Sequence, residues 1–305
     1  MEKLVMCFPG QGSQQPNMAI DLYDYSPKVK SLFQMASDIS HLDLYKILKE
    51  GDAEILKKTE VAQNAIALAS LSSFILLKER GLDPIAVAGF SLGELMALRA
   101  SCVIDDETLF NLIYKRSSLM ALSSDMAIKK YGPVAMAAII GLNVTAVEKV
   151  LNQANINNIY IANDNSDKQV VISGVKEGIE KIVPLLKENG AKRVVMLKVS
   201  GPFHTPLLKE AEVSFNQYLE TIQLNKPKCA LYSNVTGQIE PNIEEYIAKQ
   251  ITNRVQWTSI MKDIKARYEE YKILEVGVSK TLTNLFKTEK IICRPCGTVE
   301  QIEGL

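Results

Sequence analysis

The sequence predicts an α/β fold built around a parallel sheet, and three observations support this prediction. Of its 305 residues, 47% are hydrophobic, which is enough for one large core with a smaller inserted unit. Short β-rich runs alternate with stretches of helical apolar spacing along the chain. Two β-rich runs, at 3–8 and 84–89, lead directly into Gly-containing loops, where α/β folds place functional residues.

The first third of the chain combines these two strands with several helices. Between 26 and 122 the apolar spacing is mostly helical, and the run "PIAVAG" at 84–89 interrupts it as a strand. The sequence "SLGELMALRA" at 91–100 continues at once with helical spacing. Ser91 is therefore predicted at a strand-to-helix corner.

A small inserted unit is predicted in the middle of the chain. The polar segment "SSDMAIKKYGP" at 123–133 resembles a linker. After it the patterns predict strand, helix, strand, strand, helix and strand, which is the order of a ferredoxin-like domain. We therefore predict a small domain over 128–198, inserted into a core formed by 1–127 and 199–305.

The last third returns to the α/β alternation. Its patterns predict a helix near 206–222, a strand within 228–237, two amphipathic helices between 242 and 268, and a strand at 271–277. The sequence shows no internal repeat and no low-complexity tract.

Composition excludes some classes of function and location. Basic and acidic residues number 35 each, so net charge gives no argument for nucleic acid or an anionic membrane. Five cysteines, an odd number, argue against a disulfide framework and favour a reducing cytoplasm. The pair "CRPC" at 293–296 lacks the second pair of a zinc site and is interpreted as incidental. The N-terminal apolar run of about five residues is short of the apolar region of a signal peptide, and the run at 65–77 is too short to span a bilayer, so we expect a soluble, unexported protein.

The hexapeptide "GFSLGE" at 89–94 is the main chemical signal. A serine hydroxyl is a weak nucleophile unless a base removes its proton and donors stabilise the oxyanion that forms. In the G-x-S-x-G corner, Gly89 and Gly93 let the backbone pass closely, and the following helix offers its first N–H groups. The alternative is a Gly-flanked serine that caps an ordinary helix.

Only two histidines could serve as the base. His41 lies in a polar helical stretch and is predicted to be a solvated surface residue. His204 follows a predicted core strand and the turn-forming pair Gly201 and Pro202, where functional loops lie in α/β folds. A structural role for His204 is the alternative, but no better partner for Ser91 is available.

Five motifs together carry a family resemblance. They are "FPGQGSQ" at 8–14, "GFSLGE" at 89–94, "KR" at 115–116, "SGPFH" at 200–204 and "VQW" at 255–257. With these motifs in this order and spacing, the chain resembles malonyl-CoA:acyl carrier protein transacylases from Val5 to about Leu285. The resemblance implies a hydrolase-like core with a ferredoxin-like insertion.

The resemblance implies roles for five catalytic positions. Ser91 corresponds to the acylated nucleophile and His204 to its general base. Gln250 corresponds to the residue that orients the histidine through a carbonyl group. Gln11 and Leu92 correspond to the positions whose backbone N–H groups form the oxyanion hole.

The resemblance also implies substrate-binding positions. Arg116 corresponds to the arginine that binds the malonyl carboxylate, whereas without the resemblance it would be an ordinary solvated helix charge. Phe203 fits the malonyl-selective members, because a bulky ring crowds a 2-methyl branch. Phe90 stands where the family usually has His. Asn163 is the candidate from "NDNSDKQ" at 163–169, where members often have Asn-x-Pro-Gly-Gln.

We therefore expect an acyltransferase in which Ser91 takes malonyl from malonyl-CoA and passes it to the phosphopantetheine thiol of an acyl carrier protein. CoA is then part of a substrate, no metal or bound cofactor is expected, and a monomer is expected. The resemblance also implies an acidic carrier protein, so Lys115, Lys129, Lys130 and Lys192 are candidates for a docking face. The alternatives are a trans-acting polyketide acyltransferase, a hydrolase for carrier-bound acyl groups, and an inactive carrier-binding scaffold.

Overall fold

The computed structural model describes residues 3–52 and 54–305. Within these ranges the strands, in chain order, are β1 Leu4–Phe8, β2 Pro84–Gly89, β3 Val134–Ile140, β4 Ile159–Ser166, β5 Gln169–Val175, β6 Arg193–Met196, β7 Ala230–Leu231, β8 Val255–Gln256, β9 Lys272–Val276 and β10 Cys293–Cys296. Short 3₁₀ turns lie at Ile55–Lys57, Pro206–Leu208 and Lys249–Ile251.

The helices of the same ranges lie between and after these strands, singly or in succession. In chain order they are α1 Ile20–Tyr25, α2 Pro27–Ser40, α3 Leu44–Glu50, α4 Thr59–Glu79, α5 Gly93–Ala100, α6 Asp106–Tyr131, α7 Val144–Ala154, α8 Lys176–Glu188, α9 Lys209–Leu219, α10 Glu244–Ile247, α11 Trp257–Arg267, α12 Thr281–Thr288 and α13 Val299–Glu303. The predicted α/β class is confirmed.

The larger sheet is parallel and positions the site. Its strand order is β10-β9-β1-β2-β7, and every neighbouring pair is parallel. Phe8 at the end of β1 pairs with Gly89 at the end of β2. The loops that follow these two strands therefore emerge side by side at the carboxyl edge of the sheet, which is where α/β folds bind ligands.

The second sheet is mostly antiparallel and has the order β6-β3-β5-β4-β8. Strands β3, β4, β5 and β6 come from one continuous segment, in which α7 and α8 connect strands. The two-residue strand β8, from the last quarter of the chain, joins the sheet in parallel beside β4. Because Asn163 pairs with Val255, this strand ties the middle segment to the rest of the fold.

Helix α4 is a core helix rather than a short apolar segment. It spans 21 residues, more than the 13 expected from the sequence, so it is long and apolar enough to cross a membrane. However, 89% of its apolar window is buried inside the fold. Such burial is typical of the central helix of a large α/β core.

The predicted linker at 123–133 is wrong. Residues up to Tyr131 continue α6, which is 26 residues long. Ser124 is buried, and its hydroxyl donates to the carbonyl oxygen of Met120 one turn earlier at 2.7 Å. Because this serine satisfies its hydroxyl within its own helix, a polar composition here does not indicate a loop.

Candidate active site

A tight strand-to-helix corner presents Ser91. A β-carbon on Gly89 would lie 1.9 Å from the carbonyl carbon of Gly93, and one on Gly93 would lie 2.1 Å from the carbonyl oxygen of Phe8. Only glycine therefore permits β1, β2 and the start of α5 to approach so closely. Ser91 has a φ of +53°, a left-handed conformation that non-glycine residues adopt rarely and that is found repeatedly at nucleophile corners of active sites. The G-x-S-x-G motif thus forms the predicted corner.

Ser91, His204 and Gln250 form a hydrogen-bonded chain. The hydroxyl oxygen of Ser91 lies 2.7 Å from Nε2 of His204, and Nδ1 of His204 lies 2.8 Å from the backbone carbonyl oxygen of Gln250. A carbonyl oxygen can only accept, so Nδ1 carries the proton and Nε2 presents a lone pair to the hydroxyl. The structure brings together the three residues expected to carry the chemistry.

The imidazole of His204 is held in its neutral form. The residue is 4% exposed, and burial lowers its pKa to about 4. The positive charge of Arg116 lowers the pKa further, whereas hydrogen bonds to the backbone of Gln250 and Asn253 oppose the shift. At neutral pH the ring is therefore free to accept the serine proton.

The two positions expected to form the oxyanion hole have available N–H groups. Over the described ranges, no hydrogen bond joins the backbone N–H of Gln11 or Leu92 to another protein group. Gln11 lines the same cavity as Ser91, and Leu92 directly precedes α5. Unpaired backbone donors beside a nucleophile suit an oxyanion that appears only during reaction.

The site opens into a cavity of about 480 Å³ between the two sheets. One wall carries Ser91 and His204. The opposite wall comes from the second sheet and includes Met136, Ala138 and Val171. A cavity of this size with an apolar wall and few polar groups suits a small organic ligand.

Arg116 is a buried cation in this cavity, not a solvated helix charge. It is 2% exposed, and its guanidinium donates to the side-chain oxygens of Gln63 and Gln250, both at 2.8 Å. Burial lowers its pKa to about 10, and the nearby Glu94 opposes this shift, so the group remains charged at neutral pH. Because its hydrogen-bonding partners are neutral amides, its charge is left for a ligand.

Two aromatic residues shape the cavity near the nucleophile. Phe90 and Phe203 both line it, and Phe203 is 6% exposed. The ring of Phe90 packs edge-on against Trp257, with centroids 5.4 Å apart. Phe90 is therefore part of an aromatic cluster at the cavity wall.

Three amide side chains lie on the wall contributed by the second sheet. Asn163, Asn165 and Gln169 line the cavity, and the two asparagines are each 5% exposed. Within the described parts of the chain, none of the three makes a side-chain hydrogen bond to protein. Buried amides without partners are costly, so this amide strip has unused capacity for a ligand.

Sequence reasoning missed three residues of the site network. Gln63 supports Arg116, Asn234 bonds to the backbone of Ser91, and Glu94 bonds to Gln250. Glu94 follows the serine motif directly, but an acidic residue in the first helical turn is ordinary there. Gln63 and Asn234 carry no sequence signal, because their roles depend on how α4 and β7 pack.

The other candidates in the sequence lie outside the site. His41 is exposed, as predicted, and its ring packs against Tyr114. Cys293 and Cys296 are buried on β10, and burial raises the pKa of each thiol. In 3–52 and 54–305, no group of three or more His, Cys, Asp or Glu side chains is arranged to hold a metal ion.

Comparisons with known proteins cover nearly the whole chain. The acyl transferase domain family matches residues 5–280. The chain is 37% identical to the malonyl CoA-acyl carrier protein transacylase of Haemophilus influenzae, over 94% of this chain and 92% of that protein. It is 34% identical to a polyketide biosynthesis malonyl CoA-acyl carrier protein transacylase of Bacillus subtilis, over 91% of this chain and 94% of that one.

Solved structures show the same likeness. An acyl carrier protein S-malonyltransferase from Vibrio cholerae superposes with a TM-score of 0.90 at 33% identity, covering 99% of each chain. A malonyl-transacylase solved in complex with a type II PKS acyl-carrier protein superposes with a TM-score of 0.91 at 32% identity, covering 99% of this chain and 98% of that one. The likeness therefore extends over both sheets and the cavity between them.

Proposed function

The chain belongs to the acyl transferase family, and from that premise we propose that it transfers malonyl from malonyl-CoA to the phosphopantetheine thiol of an acyl carrier protein. One observation carries the proposal: the hydrogen-bonded pair Ser91 and His204 shares a cavity with the buried cation of Arg116. A nucleophile with its base performs acyl transfer, and a buried guanidinium selects an acyl group that ends in a carboxylate.

The first half-reaction forms an acyl-enzyme. Nε2 of His204 takes the proton of the Ser91 hydroxyl as its oxygen attacks the thioester carbonyl. The backbone N–H groups of Gln11 and Leu92 donate to the oxyanion. When the intermediate collapses, the C–S bond breaks and the CoA sulfur leaves with the proton from His204.

The second half-reaction runs the same steps in reverse with a different thiol. The phosphopantetheine thiol of the carrier gives its proton to His204 and attacks the malonyl ester on Ser91. The serine oxygen then leaves and takes the proton back. Gln250 fixes the imidazole through its carbonyl oxygen in both halves.

Arg116 supplies the acyl selectivity in this proposal. Its guanidinium pairs with the free carboxylate of malonyl. This ion pair compensates the carboxylate for the hydrogen bonds to water that it loses on entering the cavity. A simple acyl group would leave the buried cation unpaired, which is unfavourable. This argues against a hydrolase of simple acyl chains, and retention of Ser91 and His204 argues against an inactive scaffold.

The remaining lining residues contact the rest of the substrate. Phe203 and Phe90 border the acyl group, and Phe203 crowds a 2-methyl branch. Asn163, Asn165 and Gln169 bind the amide groups of the pantetheine arm, which CoA and the carrier share. The support is that these amides line the cavity without protein partners.

The chain is organised as a core that is interrupted by one inserted segment. The segment 128–198 is a ferredoxin-like insertion, supported by its β-α-β-β-α-β order and the strand order β6-β3-β5-β4. Residues 1–127 and 199–305 form a hydrolase-like core around the parallel sheet, although α6 crosses the boundary at 127. A cytoplasmic monomer without a metal or bound cofactor remains our prediction.

Mass spectrometry of the intact protein tests the function. Malonyl-CoA should add one malonyl group, and holo acyl carrier protein should then remove it with equal gain in its own mass. Ser91→Ala should abolish the adduct. An adduct that survives in this variant would contradict the assignment of Ser91 as the nucleophile. If the wild-type adduct is hydrolysed without the carrier as fast as it is lost with the carrier, the hydrolase is favoured. Comparing the carrier proteins of fatty acid and polyketide synthesis as acceptors of the malonyl group then shows which pathway the enzyme supplies.

A further inference from the structure

Glu94 is a buried acid that the mechanism above does not use. It lies in the first turn of α5, three residues after the nucleophile, and is 1% exposed. Its two carboxylate oxygens accept from different groups: the backbone N–H of Asn234 at 2.9 Å and Nε2 of Gln250 at 2.8 Å. Both partners reach the nucleophile.

Those two partners bond to both sides of the Ser91 peptide backbone. Oδ1 of Asn234 accepts the N–H of Ser91 at 2.7 Å, and Nδ2 of Asn234 donates to the carbonyl oxygen of Gly89 at 2.6 Å. Nε2 of Gln250 donates to the carbonyl oxygen of Ser91 at 2.6 Å. The unusual φ of Ser91 is thus fixed by side chains from outside the corner.

Gln250 also connects Glu94 to the rest of the site. Its backbone oxygen accepts from His204, and its side-chain oxygen accepts from Arg116. The amide therefore lies between a buried acid and a buried cation. Over the described ranges no ion pair joins Glu94 to Arg116, so the acid does not neutralise the guanidinium directly.

We propose that Glu94 is a positioning residue that, as a carboxylate, fixes the amide of Gln250 and thereby positions the nucleophile, its base and the carboxylate-binding arginine together. The inference rests on the proposed function. It extends that function by assigning one buried charge to the alignment of both the acyl-transfer pair and the selectivity group.

The donor and acceptor pattern explains why a carboxylate is needed. Glu94 accepts two N–H bonds, so an amide in its place would offer one acceptor and one donor. That donor would face Nε2 of Gln250 and favour a turned amide. A turned Gln250 would place its oxygen against the carbonyl of Ser91 and its NH₂ against Arg116, and both contacts are repulsive.

Ionisation of Glu94 gives a pH signature. Burial raises its pKa to about 7, opposed by the hydrogen bonds from Asn234, Gln250 and Ser233 and by the charge of Arg116. Two other titratable groups belong to this network: Arg116, whose pKa is lowered to about 10, and His204, whose pKa is lowered to about 4. Alignment should therefore be lost as pH falls through about 7, well before the base is protonated.

The test compares acylation rates of wild type, Glu94→Gln and a matched control. The control is Glu275→Gln, because Glu275 is also fully buried and accepts two backbone N–H groups, from Leu282 and Thr283. Rates of adduct formation on Ser91 are measured with malonyl-CoA and acetyl-CoA from about pH 5 to about pH 9.

We expect Glu94→Gln to slow acetylation roughly tenfold and malonylation roughly a hundredfold or more, and to remove the inflection near pH 7. Glu275→Gln should stay within about threefold of wild type. An effect of Glu94→Gln below about threefold, or an equal loss with both substrates and an unchanged pH profile, would overturn the proposal.

Wild type provides a readout that needs no variant. Its malonyl to acetyl rate ratio should fall as pH decreases through about 7, and a constant ratio would contradict the proposal. Failure of the proposed function is distinct, because wild type would then acquire no malonyl adduct at all.

Discussion

The backbone carbonyl oxygen of Gln250 lies 2.8 Å from Nδ1 of His204, and this contact decides which nitrogen of the ring is basic. With the proton fixed on Nδ1, the Nε2 lone pair points at the hydroxyl of Ser91. A neutral carbonyl thus does the orienting work that an acid performs in Ser-His-Asp enzymes. Burial and the charge of Arg116 lower the pKa of the imidazole to about 4, and the hydrogen bond to the carbonyl of Gln250 opposes this shift only in part.

His204→Ala should slow acylation by roughly 10²–10⁴, the usual contribution of a general base, while the variant remains folded. The rate of acyl-adduct formation, divided by the amount of folded protein, measures this effect. If the variant were only less stable and kept its rate, His204 would be a structural residue. NMR should also find the ring neutral down to about pH 4.

The lowered pKa of His204 also predicts a stability change with pH. The unfolded ring takes up a proton near its ordinary pKa of 6.5, whereas the folded ring does so only near 4. The stabilisation is therefore complete above about pH 6.5 and is lost as pH falls towards 4. The free energy of unfolding in urea should decrease more from about pH 7 to about pH 5 for wild type than for His204→Ala. An equal decrease in both proteins would contradict the lowered pKa.

The amide strip predicts dependence on the pantetheine arm. Asn163→Ala should raise KM about two- to tenfold for malonyl-CoA and malonyl-pantetheine alike, because one hydrogen bond is lost in each. A malonyl thioester of a simple alkyl thiol, which has no amide, should be unaffected. Asn216→Ala, an exposed amide on α9, is the matched control. Equal effects on all three thioesters would exclude recognition of the arm.

Phe203→Ala should relax discrimination against a 2-methyl branch. The ring is 6% exposed and lines the cavity beside His204, so its removal leaves room for one methyl group. One methyl is worth about 1–3 kcal/mol, so the ratio of methylmalonyl to malonyl kcat/KM should rise about five- to hundredfold. A ratio that stays constant would place branch selectivity on another wall.

The carrier face predicts a salt-sensitive second half-reaction. Lys129, Lys130 and Lys192 are exposed, whereas Lys115 is half-buried and is a weaker candidate than the sequence indicated. Charge reversal at Lys129 and Lys130 should lower kcat/KM for the carrier, most at low salt, and leave acylation by malonyl-CoA unchanged. Reversal at Lys181, an exposed lysine on α8, is the control. If kcat/KM for the carrier changes neither with salt nor with charge reversal at Lys129 and Lys130, these lysines do not form the docking face.

The sequence predicted the parts of the site that have a local signature. The Gly-flanked Ser91 could be placed at a corner because two glycines, Gly89 and Gly93, and a strand-helix pattern surround it. His204 could be chosen because the chain has only two histidines. The parallel sheet followed from the alternation of elements along the chain.

Other parts could not be predicted because tertiary packing creates them. Gln250 orients His204 through its backbone oxygen, which no residue type reveals, and this role came only from the family resemblance. Arg116 sits beside Lys115 on one helix, and only packing buries the arginine. Glu94 becomes part of the site because the segment after β7 places Asn234 next to it. Local sequence patterns do not reveal the order of strands in the sheet.

The central claim is that Arg116 selects a carboxylated acyl group for Ser91, and the ratio of malonyl to acetyl kcat/KM tests it most directly. In Arg116→Ala this ratio should fall by a factor equivalent to roughly 2–5 kcal/mol, because that is the cost of removing one partner of a desolvated pair. The kcat/KM for acetyl-CoA should stay the same or increase. The ratio cancels general damage to folding or to the Ser91 corner. A ratio within about threefold of wild type, or roughly 0.6 kcal/mol, would contradict the claim, because selectivity would then reside elsewhere.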